Sequence, residues 1–268
     1  MSPVEYKKEN DLHIIKITGK SRLTPIVRDG EELFSATVQR AQSKAKLTVC
    51  INGCWYGLTD SGKADAFVGH DPVPSADTLN EGFALLGTGA LHGHSAPNMF
   101  YIAQKLDYTW FMGQGDLTKN RGYYTGIGGL CPLVFKGLKY GDGNLYSKEL
   151  PNAKLTGDPL PAHKPFLTQR NNNRYAALSR LDNRTGRGGI GFTPTADIVV
   201  IAQEHGVGSV SFDTFRDTFI KHGCTNACAV DGSDSVFLWY DGGFKFMSAE
   251  NKDETQTFGI GRLCCTKI

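Results

Sequence analysis

Between Arg184 and Tyr240 the chain reads RTGRGGIGFTPTADIVVIAQEHGVGSVSFDTFRDTFIKHGCTNACAVDGSDSVFLWY. Ile198 to Ala202 is unbroken apolar sequence, the pattern of a strand covered on both faces. Phe212, Phe215 and Phe219 then recur at helical spacing, which predicts an amphipathic helix. Ser211 is placed to cap that helix, Asp213 sits in the first turn where the helix dipole favours an anion, and Gly223 stops it after Lys221 and His222. A second short apolar run, Ala227 to Val230, delivers Asp231-Gly232-Ser233-Asp234-Ser235 at its C-terminal end. Carboxylates and hydroxyls on a glycine-relieved turn after a buried strand are the usual means of presenting polar chemistry to a cleft.

Working outward, Leu12 to Thr18 reads as a strand, Asp29 as the cap of a helix over 30–44 with Leu33, Val38 and Ala41 inward, and Leu47 to Ile51 as a buried strand delivering Asn52. Residues 57–98 read as an insertion rich in Gly, Pro, Asp and Ser, Asn98 to Gln104 and Tyr108 to Met112 as a strand pair, and Tyr175 to Leu181 as a further strand. The proline-bearing stretch Tyr140 to Asn173 reads as a long surface loop, expected to act as a specificity lid. Asp241-Gly242-Gly243 signals a hairpin, and Phe258 to Thr266 closes as a last strand. Many strands with two clear helices predict an α+β fold: one domain over 1–268, a mixed β-sheet core, a few flanking helices and long loops over a cleft.

Composition narrows the function classes. A net charge of +2 gives no basic stripe for polymeric nucleic acid, and no run of 18 apolar residues offers a membrane span. The first twenty residues lack the apolar core of a signal peptide, so a cytoplasmic location is expected, with the seven cysteines as free thiols. Glycine pairs such as Gly126-Ile127-Gly128 do not open a helix, which argues against a dinucleotide fold.

Four blocks carry a resemblance. Ile51-Asn52-Gly53-Cys54-Trp55-Tyr56 resembles the Ile-Asn-Gly-Gly-Phe-Phe element of the phosphodiester glycosidase family, and the glycine-rich strand Gly128-Gly129-Leu130-Cys131-Pro132-Leu133-Val134 resembles another. Arg187-Gly188-Gly189-Ile190-Gly191 stands for its Arg-Thr-Ala-Ile-Gly, and Val230-Asp231-Gly232-Ser233-Asp234-Ser235 for its Leu-Asp-Gly-Gly-Gly-Ser. The blocks fall in the family's order over about residues 46–240. Ser233, Asp234 and Cys54 depart from family glycines, which bears on the substrate more than on the reaction type.

The resemblance implies a glycosidase-type hydrolase acting at a sugar carbon close to a phosphate, with Asp231, Arg187 and Asn52 in catalytic roles. Asp231 would stabilise an oxocarbenium-like transition state or activate water. On residue type alone it equally suits an Asx turn capping its own backbone. Arg187, among four glycines, suits a phosphate clamp or a surface arginine. Asn52 suits a tight turn or a hydrogen bond to a sugar hydroxyl. Gly53, Gly129 and Gly189, with Ser233, Asp234, Ser235, His92 and His94, are the candidate substrate contacts, the two histidines reading also as polar loop residues. Asp234 is the nearest candidate for a second carboxylate. No organic cofactor is expected; the oxygen-rich turn is compatible with a divalent cation.

With a cytoplasmic location, the favoured substrate is a small phosphorylated sugar or nucleotide, in particular a cyclic-nucleotide signal destroyed by a microbe or phage. Trp55, Tyr56, Tyr123 and Tyr124 could stack a base or pack the core. The alternatives are a sugar-1-phosphodiester of glycan or envelope metabolism, and a binding protein that holds a phosphorylated ligand without turnover.

Overall fold

The computed structural model describes residues 4–27, 33–44, 46–53, 57–58, 64–65, 100–114, 122–139, 183–247 and 261–268. In chain order these form β1 (Val4–Glu9), β2 (Leu12–Ile17), β3 (Ser21–Val27), α1 (Phe34–Lys44), β4 (Val49–Asn52), β5 (Gly57–Leu58), β6 (Ala64–Asp65), β7 (Phe100–Gln104), β8 (Trp110–Gln114), β9 (Thr125–Phe135) and β10 (Leu138–Lys139). There follow β11 (Arg187–Phe192), β12 (Ile198–Gln203), α2 (Phe212–Lys221), β13 (Asn226–Ala229), β14 (Leu238–Tyr240), β15 (Gly243–Phe246) and β16 (Gly261–Lys267).

Two large sheets carry the fold. One runs β1-β2-β12-β11-β13-β9-β7-β8 with β10 beside β9, the other β15-β14-β4-β16-β3. The α+β class expected from the sequence is what the structure shows. Every described strand pair is antiparallel, which corrects the expectation of a mixed sheet: short hairpin turns, and not helical crossovers, link β1 to β2, β9 to β10, β11 to β12 and β14 to β15.

The apolar pattern explains the layering. All six residues of β12 are buried, because its sheet is covered on both faces. One face meets α2, where a Cβ added at Gly189 would come within 2.9 Å of Phe219. The other meets the five-stranded sheet: one apolar cluster joins Ile14, Ile190 and Val200 to Leu23, Val49 and Ile51. Beyond that sheet, Val38 and Ala41 of α1 pack with Cys50, Trp239 and Cys264 in a second cluster. The order of layers is therefore helix, sheet, sheet, helix.

Local signals behave as their chemistry dictates. The Ser211 hydroxyl accepts the Thr214 N–H at 3.1 Å, and Gly223 follows α2 at φ +81°. Two-residue hairpins at Asn10-Asp11, Lys136-Gly137 and Asp241-Gly242 all have positive φ at both positions, which matches the right-handed strand twist. Pro25 is tolerated because β3 is an edge strand. Pro132 lies inside the sheet, where β9 and β13 slip register between Ala227 and Cys228.

Some expectations are corrected. Leu33, read as inward, is 38% exposed, just ahead of α1, which is helical from Phe34. Asp29 and the expected helix start lie outside the described residues, as do the loop at 140–173, the strand at 175–181 and most of 57–98. Strands β1 and β3 were not expected. Among the described residues no helix is long and apolar enough to cross a membrane. Six cysteines are described, all buried and none disulfide-bonded.

Candidate functional site

Three of the four sequence blocks converge where the two sheets meet. The β11–β13 ladder pairs Gly189 with Ala229, and the Val230 N–H donates to the Gly188 carbonyl at 3.0 Å. Asp231 follows Val230 and Arg187 precedes Gly188, so the two residues flank the end of this ladder. Directly after this point the chain crosses to the five-stranded sheet, and the crossing is pinned. The Asp231 N–H donates to the Gly53 carbonyl at 3.0 Å. The Asn52 side-chain amide donates to the Ser235 carbonyl at 2.7 Å, and its oxygen accepts the Phe237 N–H at 2.9 Å. The fourth block is in β9, whose Cys131 pairs with Ala229; Gly128 and Gly129 precede Cys131 on the side toward which β13 delivers Asp231.

These contacts sort the candidates. Asp231 is 8% exposed, and its Oδ1 accepts the Gly232 N–H at 2.9 Å. The carboxylate thus caps its own turn, as an Asx residue does, while being held in the interior beside a buried arginine strand. Its negative charge also reaches Cys131, whose thiol is raised well above its ordinary range, first by burial and then by Cys228 and Asp231. Arg187 is not the surface arginine that was one reading of it. It is 1% exposed, shares the α2 face with Gly189, and its guanidinium carbon lies 5.8 Å from the centre of the Phe212 ring.

Both ends of the Asn52 amide hold backbone, so Asn52 positions the turn. Gly189 is small for packing, since a Cβ there would meet the Cys228 carbonyl at 2.9 Å and Phe215 at 3.2 Å. The carbonyl of Gly53 is occupied by Asp231. Ser235 is buried and Asp234 exposed, on a 3-10 turn from Ser233 to Ser235. His92 and His94 lie outside the described residues. Among the described residues no group of three or more His, Cys, Asp or Glu is placed to hold a metal ion.

Two groups beside Arg187 escaped the sequence reading. Gln203, directly opposite Arg187, is fully buried. It donates to the carbonyls of Asn183 at 2.8 Å and Thr185 at 2.9 Å and accepts the Val210 N–H at 3.1 Å. Nδ1 of His205 accepts the Gly186 N–H at 3.1 Å. Together they fix the loop that leads into Arg187. The available signal was a glutamine ending an otherwise apolar strand, where an amide must find backbone partners.

The aromatic residues settle differently. Tyr124 is stacked by Arg22, 4.1 Å from its ring centre, and Tyr123 packs against Tyr101 and Phe111. Burial pushes the phenols of both upward. Trp55 and Tyr56 lie outside the described residues.

No protein-family model and no curated protein matches the sequence. Solved structures do match. The catalytic domain of zebrafish N-acetylglucosamine-1-phosphodiester alpha-N-acetylglucosaminidase, auto-inhibited by its pro-peptide, aligns over 99% of this chain and 82% of that one, at 13% identity and a TM-score of 0.59. A protein from Synechocystis aligns over 98% of this chain at 10% identity and a TM-score of 0.41; this chain spans 61% of it. The chain shares, distantly, the fold of a phosphodiester glycosidase catalytic domain.

Proposed function

We propose that the protein is a glycosidase-type hydrolase that cleaves a bond between a sugar carbon and a neighbouring oxygen or nitrogen in a phosphate-bearing sugar. One observation carries the reading: on this fold the β11–β13 ladder brings Val230 to Gly188, so that Asp231 and Arg187 are each the next residue along, and the turn at Asp231 is pinned to Gly53 and, through Ser235, to Asn52. A fixed carboxylate stabilises positive charge developing at a sugar carbon, and its Gly232 contact keeps it oriented before substrate arrives. Arg187, kept from bulk water, offers a fork suited to phosphate oxygens. Asn52 holds the turn, and exposed Asp234 is placed to meet solvent as a proton carrier.

A sugar-1-phosphodiester and a nucleotide or cyclic nucleotide both present this chemistry. Tyr123 and Tyr124 give no support to base stacking, because Arg22, Tyr101 and Phe111 occupy their rings. Incubation with a panel of sugar phosphates, sugar-1-phosphodiesters, nucleotides and cyclic nucleotides, read by mass spectrometry, separates the outcomes. A free sugar supports the phosphodiester substrate and a free base the nucleotide. Ligand bound but unchanged assigns the protein a binding role and overturns the hydrolase.

A further inference from the structure

We propose that Cys50 and Cys264 form a disulfide staple between β4 and the C-terminal strand β16, a modification site separate from the Asp231 corner. The antiparallel register sets the two residues directly opposite each other, and their sulfurs lie 2.6 Å apart. That separation is shorter than an ordinary contact between two sulfurs and longer than the bonded distance of about 2.05 Å, so the two thiols are unbonded and adjacent, and the register needs only a small approach to join them. Both residues are fully buried, in the cluster formed with Ile26, Val38, Phe237 and Trp239.

The neighbouring cysteines do not compete. Cys265 alternates to the opposite face of β16, within the cluster between the sheets, and is paired with Val49. Cys228 points its sulfur toward Met112 Sδ at 3.6 Å. Cys224 lies under α2 beside Gly191 and Phe219. A purely apolar role would place each sulfur among carbon atoms; here two sulfurs face one another across a strand pair.

The chemistry is thiol–disulfide exchange with a small-molecule disulfide such as oxidised glutathione. One cysteine thiolate attacks a sulfur of the small disulfide, forming a mixed disulfide and expelling one thiolate, which takes up a proton. The second cysteine thiolate then attacks the protein sulfur of that mixed disulfide and expels the other half. Two protein thiols lose two electrons and two protons, and one small disulfide becomes two thiols. Because both sulfurs are sealed in the folded state, the exchange occurs while β16 is unpaired, during folding or transient opening of the strand.

The staple would close a chain segment of 214 residues, a large constraint on the unfolded state. It would also anchor β4 two residues before Asn52, the strand end that pins the Asp231 turn.

The test is refolding of the full chain in mixed reduced and oxidised glutathione, alkylation, proteolysis and peptide mass mapping. The expected result is one linked peptide pair, Cys50 with Cys264, the remaining cysteines alkylated, and a melting temperature higher by roughly 5 °C or more than in the reduced protein. Cys264→Ala and Cys50→Val should each abolish the linked pair and the redox dependence of melting. Alkylation of all seven cysteines after oxidative refolding, or linkage of a different pair, overturns the proposal; the mapping uses the natural chain and so is unaffected if a variant fails to fold. The outcome is independent of whether the protein hydrolyses any substrate.

Discussion

A buried side-chain amide holds backbone at two corners of the molecule, and only one of the corners looks chemical. At the β3–β7 corner, buried Gln104 donates to the Ser21 carbonyl at 2.7 Å and accepts the Leu23 N–H at 3.2 Å. Beside it Arg22 lies between the rings of Tyr108 and Tyr124, each 4.1 Å away, and donates to the carbonyls of Lys105 and Leu106. At the other corner Asn52 makes the equivalent pair of bonds to Ser235 and Phe237. A buried amide and an arginine are therefore no sign of function, since at the Gln104 corner they do no more than join two sheets. What the Asp231 corner adds is a buried carboxylate on the crossing chain and an arginine sealed from water. A fold optimised only for stability gains little from a buried carboxylate, whose desolvation is costly.

The sharpest way to break this comparison is Asp231→Asn, which keeps the shape and the Gly232 contact but removes the charge. Turnover should fall by roughly a thousandfold or more, while the melting temperature stays within a few degrees. Near-normal turnover on the substrate found by the panel would reduce Asp231 to a turn residue and make the two corners equivalent.

Next come the amides. Asn52→Leu and Gln104→Leu should each destabilise the fold by about 2–4 kcal/mol, because each leaves buried backbone groups without their side-chain partner. Their effects on activity should differ. Asn52→Leu should lower kcat of the folded enzyme about tenfold, through a loosened Asp231 turn, and Gln104→Leu should leave it unchanged. Chemical denaturation with kinetics on the same samples reads both; equal kinetic effects would show that the corners are coupled through the sheets.

A smaller loss is expected at Gly189→Ala. The added methyl would press on the Cys228 carbonyl and on Phe219, each at 2.9 Å, so α2 must lift from β11. A cost of about 1–3 kcal/mol is the usual consequence of such overpacking. Unchanged stability would mean the glycine is kept for a ligand, returning it to the role first expected of it.

The fold was legible in the sequence wherever one physical signal dominated. The apolar run of β12, the Ser211 cap with Gly223 of α2, and Asp241-Gly242 each decide their own structure locally. β1 was missed because Tyr6, Lys7 and Lys8 carry no apolar alternation on an exposed edge, and β3 because proline argues against a strand unless it lies at an edge. Two hairpin turns, Asn10-Asp11 and Lys136-Gly137, lack the strongest turn dipeptides yet adopt the same conformation. For the site, Asp231 and Arg187 could be named from their positions. Asn52 could be named but not given its role, since whether an amide meets a sugar or Ser235 depends on a chain segment 183 residues away. Gln203 was hidden for a different reason: its partners are close in sequence, but its importance exists only once the hairpin sets Arg187 across from it.

The smallest effect expected concerns pH, and it tests whether the titration of the fold is separate from both corners. His13 lies on β2, buried, hydrogen-bonded to the Tyr6 hydroxyl at 2.9 Å and packed against Phe246. Burial, reinforced by Lys8 and Lys245 and opposed by Asp11, pushes its pKa down to about 4. The folded protein therefore holds His13 neutral where the unfolded chain, titrating near 6.5, would protonate it. Stability from this source is fully present above about pH 6.5 and is lost as the pH falls from there toward 4, by about 1–3 kcal/mol. Glu9, held down to about 2 by Lys7 and Lys221, loses its contribution only at lower pH, so the two windows separate. His13→Gln cannot titrate, and its melting temperature should fall less than that of the natural chain between about pH 7 and 4.5. Burial lowers His222 as well, and its share of the decline should persist in the variant. Activity per folded molecule should keep the same pH profile in both proteins. A profile that moves with His13→Gln would place His13 in contact with the Asp231 corner, and an unchanged melting difference would mean His13 is not held neutral by the fold.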